Sequence, residues 1–327
     1  MGRRGRPRGF GAYGRPPAAV VSEPLARTWS AARPVDLRAT LGPLRHGGGD
    51  PTFRTVGPYL WRTARTPEGV ATQRISVRRG LGGSDVETLA WGPGAAWLLA
   101  TLPELLGDRD DLAGFRPQHP LVADALRRSA GWRVPRTRLV MESLVPAVLE
   151  QKVTGGEASR SWQRLVTAYG TAAPGPAPVG MAVVPEPGAW ATIPSWEWHR
   201  AGVGPERSRT IVGLARRAVA LERTVDLPSD EVDRRLRSLP GVGAWTSAEV
   251  RQRVHGDPDA VSVGDFHLSG HVVYALTGER GGDDARMLEL LEPYAGHRYR
   301  AVRMIELSGV SPGRRAPRYS PLDHRSR

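Results

Sequence analysis

Residues 239–247 read LPGVGAWTS, a tight turn held between two segments of helical periodicity. Before it, Ser229 is placed to cap a short helix, Asp230 and Glu231 follow in the first turn, and Val232, Leu236 and Leu239 share the buried side. After it, AWTSAEVRQRVHG continues with the same spacing. Gly241 and Gly243 flank a single apolar residue, so the chain can reverse sharply, with Val242 pointing back between the helices and Pro240 stiffening the approach. Two readings fit such a turn. It is a helix–turn–helix corner with no ligand, or a nest in which the unpartnered N–H groups opening the second helix meet an anion such as a phosphate oxygen.

The surrounding chain reads as α+β. Residues 24–115 form a small antiparallel β-rich domain: VDLRATL alternates, and PYLWRTAR and GVATQRISV flank TPEG in the pattern of a hairpin. From about Trp97 the apolar period changes to 3.6, and 116–310 forms a mostly helical domain that contains the glycine turn. Within it, Thr154 and Glu157 make a T-x-x-E capping box ahead of Ala158, Trp162, Leu165, Val166 and Tyr169 on one face. Pro205 opens a helix with the stripe Ile211, Leu214, Ala215 and Ala218, and Pro146 should kink the helix near 138–151. AAPGPAPVGMAVVPEPG (172–188) interrupts the periodicity as a surface loop, and segments 1–23 and 311–327 read as disordered basic tails.

Charge and cysteine content narrow the chemistry. The 327 residues carry 46 basic and 33 acidic side chains, a net charge of +13 that favours a polyanionic partner, nucleic acid foremost. Cysteine is absent, which removes disulfides, thiolate nucleophiles, cysteine-ligated zinc and iron–sulfur clusters together. Lys152 is the only lysine, so amine-based covalent chemistry has only Lys152 or the N-terminus. No apolar run approaches the ~20 residues of a membrane span, and the first residues lack the apolar segment of a signal peptide. A soluble, cytoplasmic, monomeric protein with no membrane partner is expected.

Downstream of the turn, VSVGDFHL places Asp265 directly ahead of a helix running from Phe266 to about Thr277. As an N-cap, Asp265 needs no further role. Together, however, VPAVLEQKVTGGEA (145–158), AGVGPERSRTIVGLARRA (201–218), LPGVGAWTSAEV (239–250) and VSVGDFHL (261–268) resemble in order and spacing the helix–hairpin–helix DNA glycosylase superfamily, and within it the bacterial type II 3-methyladenine DNA glycosylases. The helical resemblance covers about 120–310.

It implies a monofunctional base-excision enzyme that flips a damaged nucleotide out of double-stranded DNA and hydrolyses the N-glycosidic bond of an alkylated purine of the 3-methyladenine or 7-methylguanine type. Asp265 matches the catalytic aspartate, whose carboxylate stabilises the positive charge developing on the sugar and orients water. Trp245 stands where bifunctional members carry a Schiff-base lysine; it resembles the aromatic wall on which an electron-poor base stacks, and otherwise is a core tryptophan. The backbone amides of Gly241, Gly243 and Ala244, with the Thr246 hydroxyl, match the phosphate-holding groups. The carbonyls of Arg237, Leu239 and Val242 match those that hold a monovalent cation, Na+ or K+, in relatives, and no other cofactor is implied.

The departures bear on the pocket. Glu249 replaces a pocket tyrosine one turn beyond the tryptophan, His297 falls where a further pocket tryptophan is expected, and Phe266 keeps an aromatic ring after the aspartate. Such a pocket is more polar, which opens the lesion range. Lys152, in EQKV, falls where a relative inserts an apolar wedge into the DNA gap; a cation there fills the gap, meets a phosphate, or is a solvated loop residue. Two other functions stay open: a non-catalytic DNA-binding or damage-sensing protein, and a glycosylase for an oxidised or deaminated base.

Overall fold

Alternation in the N-terminal part builds an antiparallel sheet from β1 (Leu25–Ala31), β2 (Phe53–Val56), β3 (Tyr59–Thr66), β4 (Gly69–Arg79) and β5 (Ser84–Trp91), in the order β1-β5-β4-β3-β2. The computed structural model describes residues 23–80 and 82–313; the tails expected at the two ends lie outside these, apart from Glu23 and residues 311–313. The expected hairpin is β3–β4, in which Thr66 faces Gly69 across the turn and Leu60 pairs with Ile75. VDLRATL is not a strand: the Asp36 carboxylate accepts the Ala39 amide at 2.9 Å and starts helix α1 (Leu37–Leu41), a local cap that outweighs the alternation. Leu60, Ile75 and Val86 from one face of the sheet pack with Leu41 and with Leu102 and Leu105 of α2 (Ala95–Leu105).

The remaining elements are α3 (Pro120–Arg128), α4 (Val140–Leu149), α5 (Gly155–Tyr169), the short strands β6 (Thr171–Ala172) and β7 (Ala182–Val183), α6 (Pro187–Thr192), α7 (Ser195–Arg200), α8 (Pro205–Ala215), α9 (Ala218–Glu222), α10 (Ser229–Arg237), α11 (Ala244–Val250), α12 (Leu268–Thr277), α13 (Asp284–Leu291) and α14 (Arg298–Ser308). The capping box forms as read, with the Thr154 side chain accepting the Glu157 amide and Glu157 answering the Thr154 amide. Pro146 lies inside α4, Pro205 is the first residue of α8, and Ala218 opens α9 instead of extending α8. Ser229 sits inside α10, one position past the cap, and its hydroxyl donates to Asp257.

Segment 172–188 is a docked element, not a free surface loop. β6 and β7 pair, Met181, Val183 and Val184 are buried, the Ala182 amide donates to the Pro51 carbonyl, and the Ala182 carbonyl accepts the Thr63 hydroxyl. Next to it, Trp162, Trp190 and Trp198 stack in series at centroid distances of 6.4 and 5.9 Å, and the Trp162 indole donates to Asp50. Burial of each such ring stabilises the fold by roughly 1.5–3 kcal/mol. Two helical cores result. One gathers α4, α5, α8 and α10 around these rings with Val250 and Val254; the other joins Val122, Leu268, Met287, Tyr299 and Val302 from α3, α12, α13 and α14 with Trp132 from the segment after α3.

Candidate active site

The glycine turn joins α10 to α11. Gly241 has φ +81°, a left-handed conformation that glycine adopts without cost, and a Cβ there would lie 2.2 Å from Thr210 Oγ1 on α8. Gly243 has extended backbone and its outer side is open, with nothing within 4 Å of where a Cβ would stand. Gly241, Gly243 and Ala244 are exposed, and the first N–H groups of α11 have no partner within the helix. The two helices are riveted behind the turn: Ser247 donates to Asp233 at 2.7 Å, and Arg251 bridges Asp233, Ser229 and Asp257.

Beyond Val250 the helix widens into a π turn, Arg251–His255. Such turns cluster at functional sites because they displace side chains from the regular helical face. Here Glu249, Gln252 and Arg253 all line one cavity of about 230 Å³, opposite Leu268, Tyr299, Val302, Arg303 and Glu306. The cavity therefore lies between the two helical cores. It is smaller than the roughly 300–1,000 Å³ typical of sites for drug-sized ligands, and suits a small group. Asp265 and His267 stand on its lining.

Asp265 is held from three sides. Its Oδ1 accepts the amides of His267 (2.8 Å) and Leu268 (3.0 Å), the N-cap and first residues of α12, while Oδ2 accepts the indole N–H of Trp245 at 3.1 Å. Asp265 is not itself the N-cap residue: the helix starts at Leu268 and not at Phe266, His267 is its N-cap, and the Asp265 carboxylate supports the helix start from two positions earlier. Burial pulls the Arg253 guanidinium toward a lower pKa, but the adjacent Glu249 carboxylate, with Tyr299 and Glu150, outweighs it and the net direction is up.

The other residues singled out in the sequence are dispersed more widely. Glu249 lines the cavity, with its carboxylate 2.8 Å from Arg253. Phe266 does not: it is 89% exposed, because the turn that lets Asp265 bond to the start of α12 sends residue 266 outward and His267 to the cavity. His297 is also elsewhere, at the start of α14, where its ring meets the Ala113 carbonyl and the Phe115 ring. The Thr246 hydroxyl, expected toward a phosphate, belongs to a residue only 2% exposed and accepts from Gln151 at 2.8 Å. Gln151 also donates to the Gly241 carbonyl at 2.9 Å, so this side chain, which sequence reasoning passed over, joins the glycine turn to exposed Lys152. Lys152 itself has φ +55°. Of the carbonyls assigned to a cation, that of Leu239 accepts the Val242 amide. Among the described residues no group of His, Asp or Glu side chains is arranged to hold a metal ion, and no helix is long and apolar enough to cross a membrane.

Comparison with known proteins bears on this arrangement. No protein-family model matches the chain. Over 151 residues it is 35% identical to a Mycobacterium tuberculosis protein described as a probable bifunctional transcriptional activator/DNA repair enzyme AlkA, a match covering 43% of this chain and 28% of the relative. The chain thus spans less than a third of the length of the curated relatives it matches. The fold is similar to the 3-methyladenine DNA-glycosylase of Archaeoglobus fulgidus, with TM-score 0.67, 14% identity and coverage of 86% of this chain and 98% of the other. It is also similar to the Clostridium acetobutylicum 8-oxoguanine glycosylase/lyase in complex with double-stranded DNA, with TM-score 0.62, 11% identity and coverage of 88% and 97%. The chain has a fold similar to that of the helix–hairpin–helix DNA glycosylases, and over 151 residues it is homologous to AlkA.

Proposed function

We propose that the chain is a monofunctional DNA glycosylase of base-excision repair that removes alkylated purines of the 3-methyladenine or 7-methylguanine type from double-stranded DNA. The observation that carries this reading is Asp265: a carboxylate on the wall of a cavity, oriented by Trp245 from the glycine hairpin. A base inside a duplex cannot reach such a cavity, so the nucleotide must be flipped out. As the N-glycosidic bond breaks, positive charge grows on the sugar, and the preoriented Asp265 carboxylate stabilises it and directs water to the anomeric carbon. An N-alkylated purine is already cationic and leaves without a strong general acid.

The exposed amides of Gly241, Gly243 and Ala244 hold a phosphate, and the arginine-rich surface supplies the remaining attraction to the duplex. The carbonyl oxygens of Arg237, Leu239 and Val242 are hard, neutral donors of the kind that suit Na+ or K+, and the Leu239 carbonyl keeps one lone pair beside its bond to Val242. With Trp245 at the hairpin position and the single lysine, Lys152, in the α4–α5 loop, the product is an abasic site on an uncut strand. Single-turnover assays on duplexes carrying one lesion each test the reading. Free base should be released without strand scission, and borohydride should trap no covalent adduct; a trapped adduct would point to Lys152 as an amine nucleophile and end the monofunctional assignment.

A further inference from the structure

The polarity of the cavity wall around Glu249 can be assigned bond by bond. The Gln252 side-chain nitrogen donates to the Ala260 carbonyl at 2.7 Å, and a carbonyl can only accept, which fixes the amide orientation. The same nitrogen donates to Ser262 Oγ at 2.9 Å, so both of its protons are engaged. The Ser262 hydroxyl, having accepted from Gln252, donates to Glu249 Oε1 at 2.5 Å. Glu249 Oε2 is 2.8 Å from Arg253 Nη1, which also donates to the Glu249 carbonyl, while Arg253 Nε donates to the Pro43 carbonyl.

Gln252 and Ser262 have therefore spent their donors behind the wall, and Glu249 faces the cavity as an acceptor only. A carboxylate has about four lone-pair sites, of which these two partners use two. Arg253 lines the same cavity, and a guanidinium carries five donors in one plane.

We infer that this wall reads a guanine-type edge, with Glu249 accepting from two adjacent donors, N1–H and the 2-amino group, and Arg253 donating to O6. Adenine offers an acceptor at N1 beside its 6-amino group, which sets a lone pair against the carboxylate; thymine and uracil offer a single N–H between two carbonyls. The site thus takes guanine-derived lesions, such as 7-methylguanine, ahead of adenine-derived ones. The inference rests on the glycosylase reading for its substrate, and on the hydrogen-bond chain alone for its base preference.

The experiment separates the two. Binding of 9-methylguanine and 9-methyladenine to the whole protein, read by chemical-shift perturbation, is measured for wild type and Glu249→Gln beside single-turnover excision of 7-methylguanine and 3-methyladenine, each rate divided by its spontaneous release. A bidentate contact of this kind discriminates by about tenfold or more. 9-Methylguanine should bind at least about tenfold more tightly than 9-methyladenine. In Glu249→Gln, where an amide donor replaces an acceptor oxygen, both the binding ratio and the excision ratio should fall toward one. Equal binding of the two bases, binding of neither, or a ratio that Glu249→Gln leaves unmoved overturns the inference; if the variant does not fold, the wild-type binding ratio decides. Guanine-selective binding with excision of no lesion upholds the base preference and overturns the glycosylase reading.

Discussion

The indole N–H of Trp245 reaches Oδ2 of Asp265 at 3.1 Å, while Oδ1 of the same carboxylate is taken up by the first amides of α12. One oxygen is committed to the fold and the other to the hairpin, so the position of the carboxylate depends on how α11 and α12 sit together. This gives Trp245 a role as a donor that orients the aspartate, distinct from that of a stacking wall.

The two roles separate in Trp245→Phe, which keeps a ring and loses the N–H. If orientation matters, single-turnover excision should fall by about tenfold while duplex affinity stays within about twofold, the cost of one hydrogen bond to a charged group being roughly 1.5–3 kcal/mol at most. Retained excision by the phenylalanine variant with loss in Trp245→Ala would instead restore the stacking role.

Asp265→Asn should lower excision by at least about a hundredfold, since preorganised charge at a developing cation is worth on the order of 3 kcal/mol. Asn can keep the two bonds to α12 through its oxygen, but its amide group then meets the Trp245 N–H donor to donor. A loss of about 1 kcal/mol in stability accompanies the substitution. Thermal melting beside the excision assay checks both; wild-type turnover would leave Asp265 as a support for the start of α12 alone.

The hairpin glycines should behave differently from one another. Gly241→Ala places a methyl group against Thr210 at a left-handed backbone position, and should destabilise the protein by more than about 1 kcal/mol. Gly243→Val meets nothing within the protein and has ordinary extended backbone, so folding should survive. It crowds the outer face at which the proposed phosphate contact is made, and should weaken binding to damaged and undamaged duplexes alike. Fluorescence anisotropy at several salt concentrations reads this out, with a slope of about −0.9 per phosphate neutralised for the wild type.

What could be read in advance was whatever depends on neighbours in sequence. The capping box of Thr154 and Glu157, the β3–β4 hairpin and the glycine turn are each set by a few adjacent residues, and they form. Asp36 was also local, yet the alternation of VDLRATL hid its cap. The cavity wall was less legible: Gln252 and Arg253 reach it because the helix widens into a π turn, which no side-chain pattern announces. Phe266, expected in the pocket, points outward and His267 stands at the cavity instead, because the bonds from Asp265 to the start of α12 set the direction of the chain between them. His297 lands on Ala113 and Phe115, a contact between distant parts of the chain that spacing cannot foresee.

Stability should vary with pH through Glu142, which is buried and accepts the Arg65 amide at 2.6 Å. Burial raises its carboxyl from the ordinary 4.5 to about 7, against the pull of Arg62 and Arg65. Between these values the native state holds a proton that the unfolded chain has released, so this group's contribution to stability declines as pH rises. His255 works in the opposite sense: burial first, then Arg136, lower its pKa from 6.5 to about 4, so its contribution is lost as pH falls through that window. Glu142→Gln keeps the acceptor oxygen and removes the titration. The melting temperature of wild type relative to this variant should therefore drop steadily from about pH 5 to pH 8; parallel curves would show that Glu142 titrates normally.

The Gln151 contacts predict a coupling between the glycine turn and the loop that carries Lys152. Gln151 donates both of its amide protons to the hairpin, one to the Gly241 carbonyl and one to the Thr246 hydroxyl, itself on the residue after Trp245. Gln151→Ala leaves both acceptors without their donor and frees the loop, and Gln151→Glu sets a carboxylate against a carbonyl. Both variants should bind duplex DNA less tightly and excise more slowly, by roughly fivefold to tenfold each for a hydrogen bond of about 1 kcal/mol and its neighbour. Lys152→Ala, which leaves the brace intact, should reduce affinity without slowing single-turnover excision at saturating protein. In the double variant the two affinity losses should be less than additive, because a loop released from the hairpin no longer presents Lys152 at a fixed place. Strict additivity would mean that the brace and the lysine act independently, and that Gln151 only stabilises the turn.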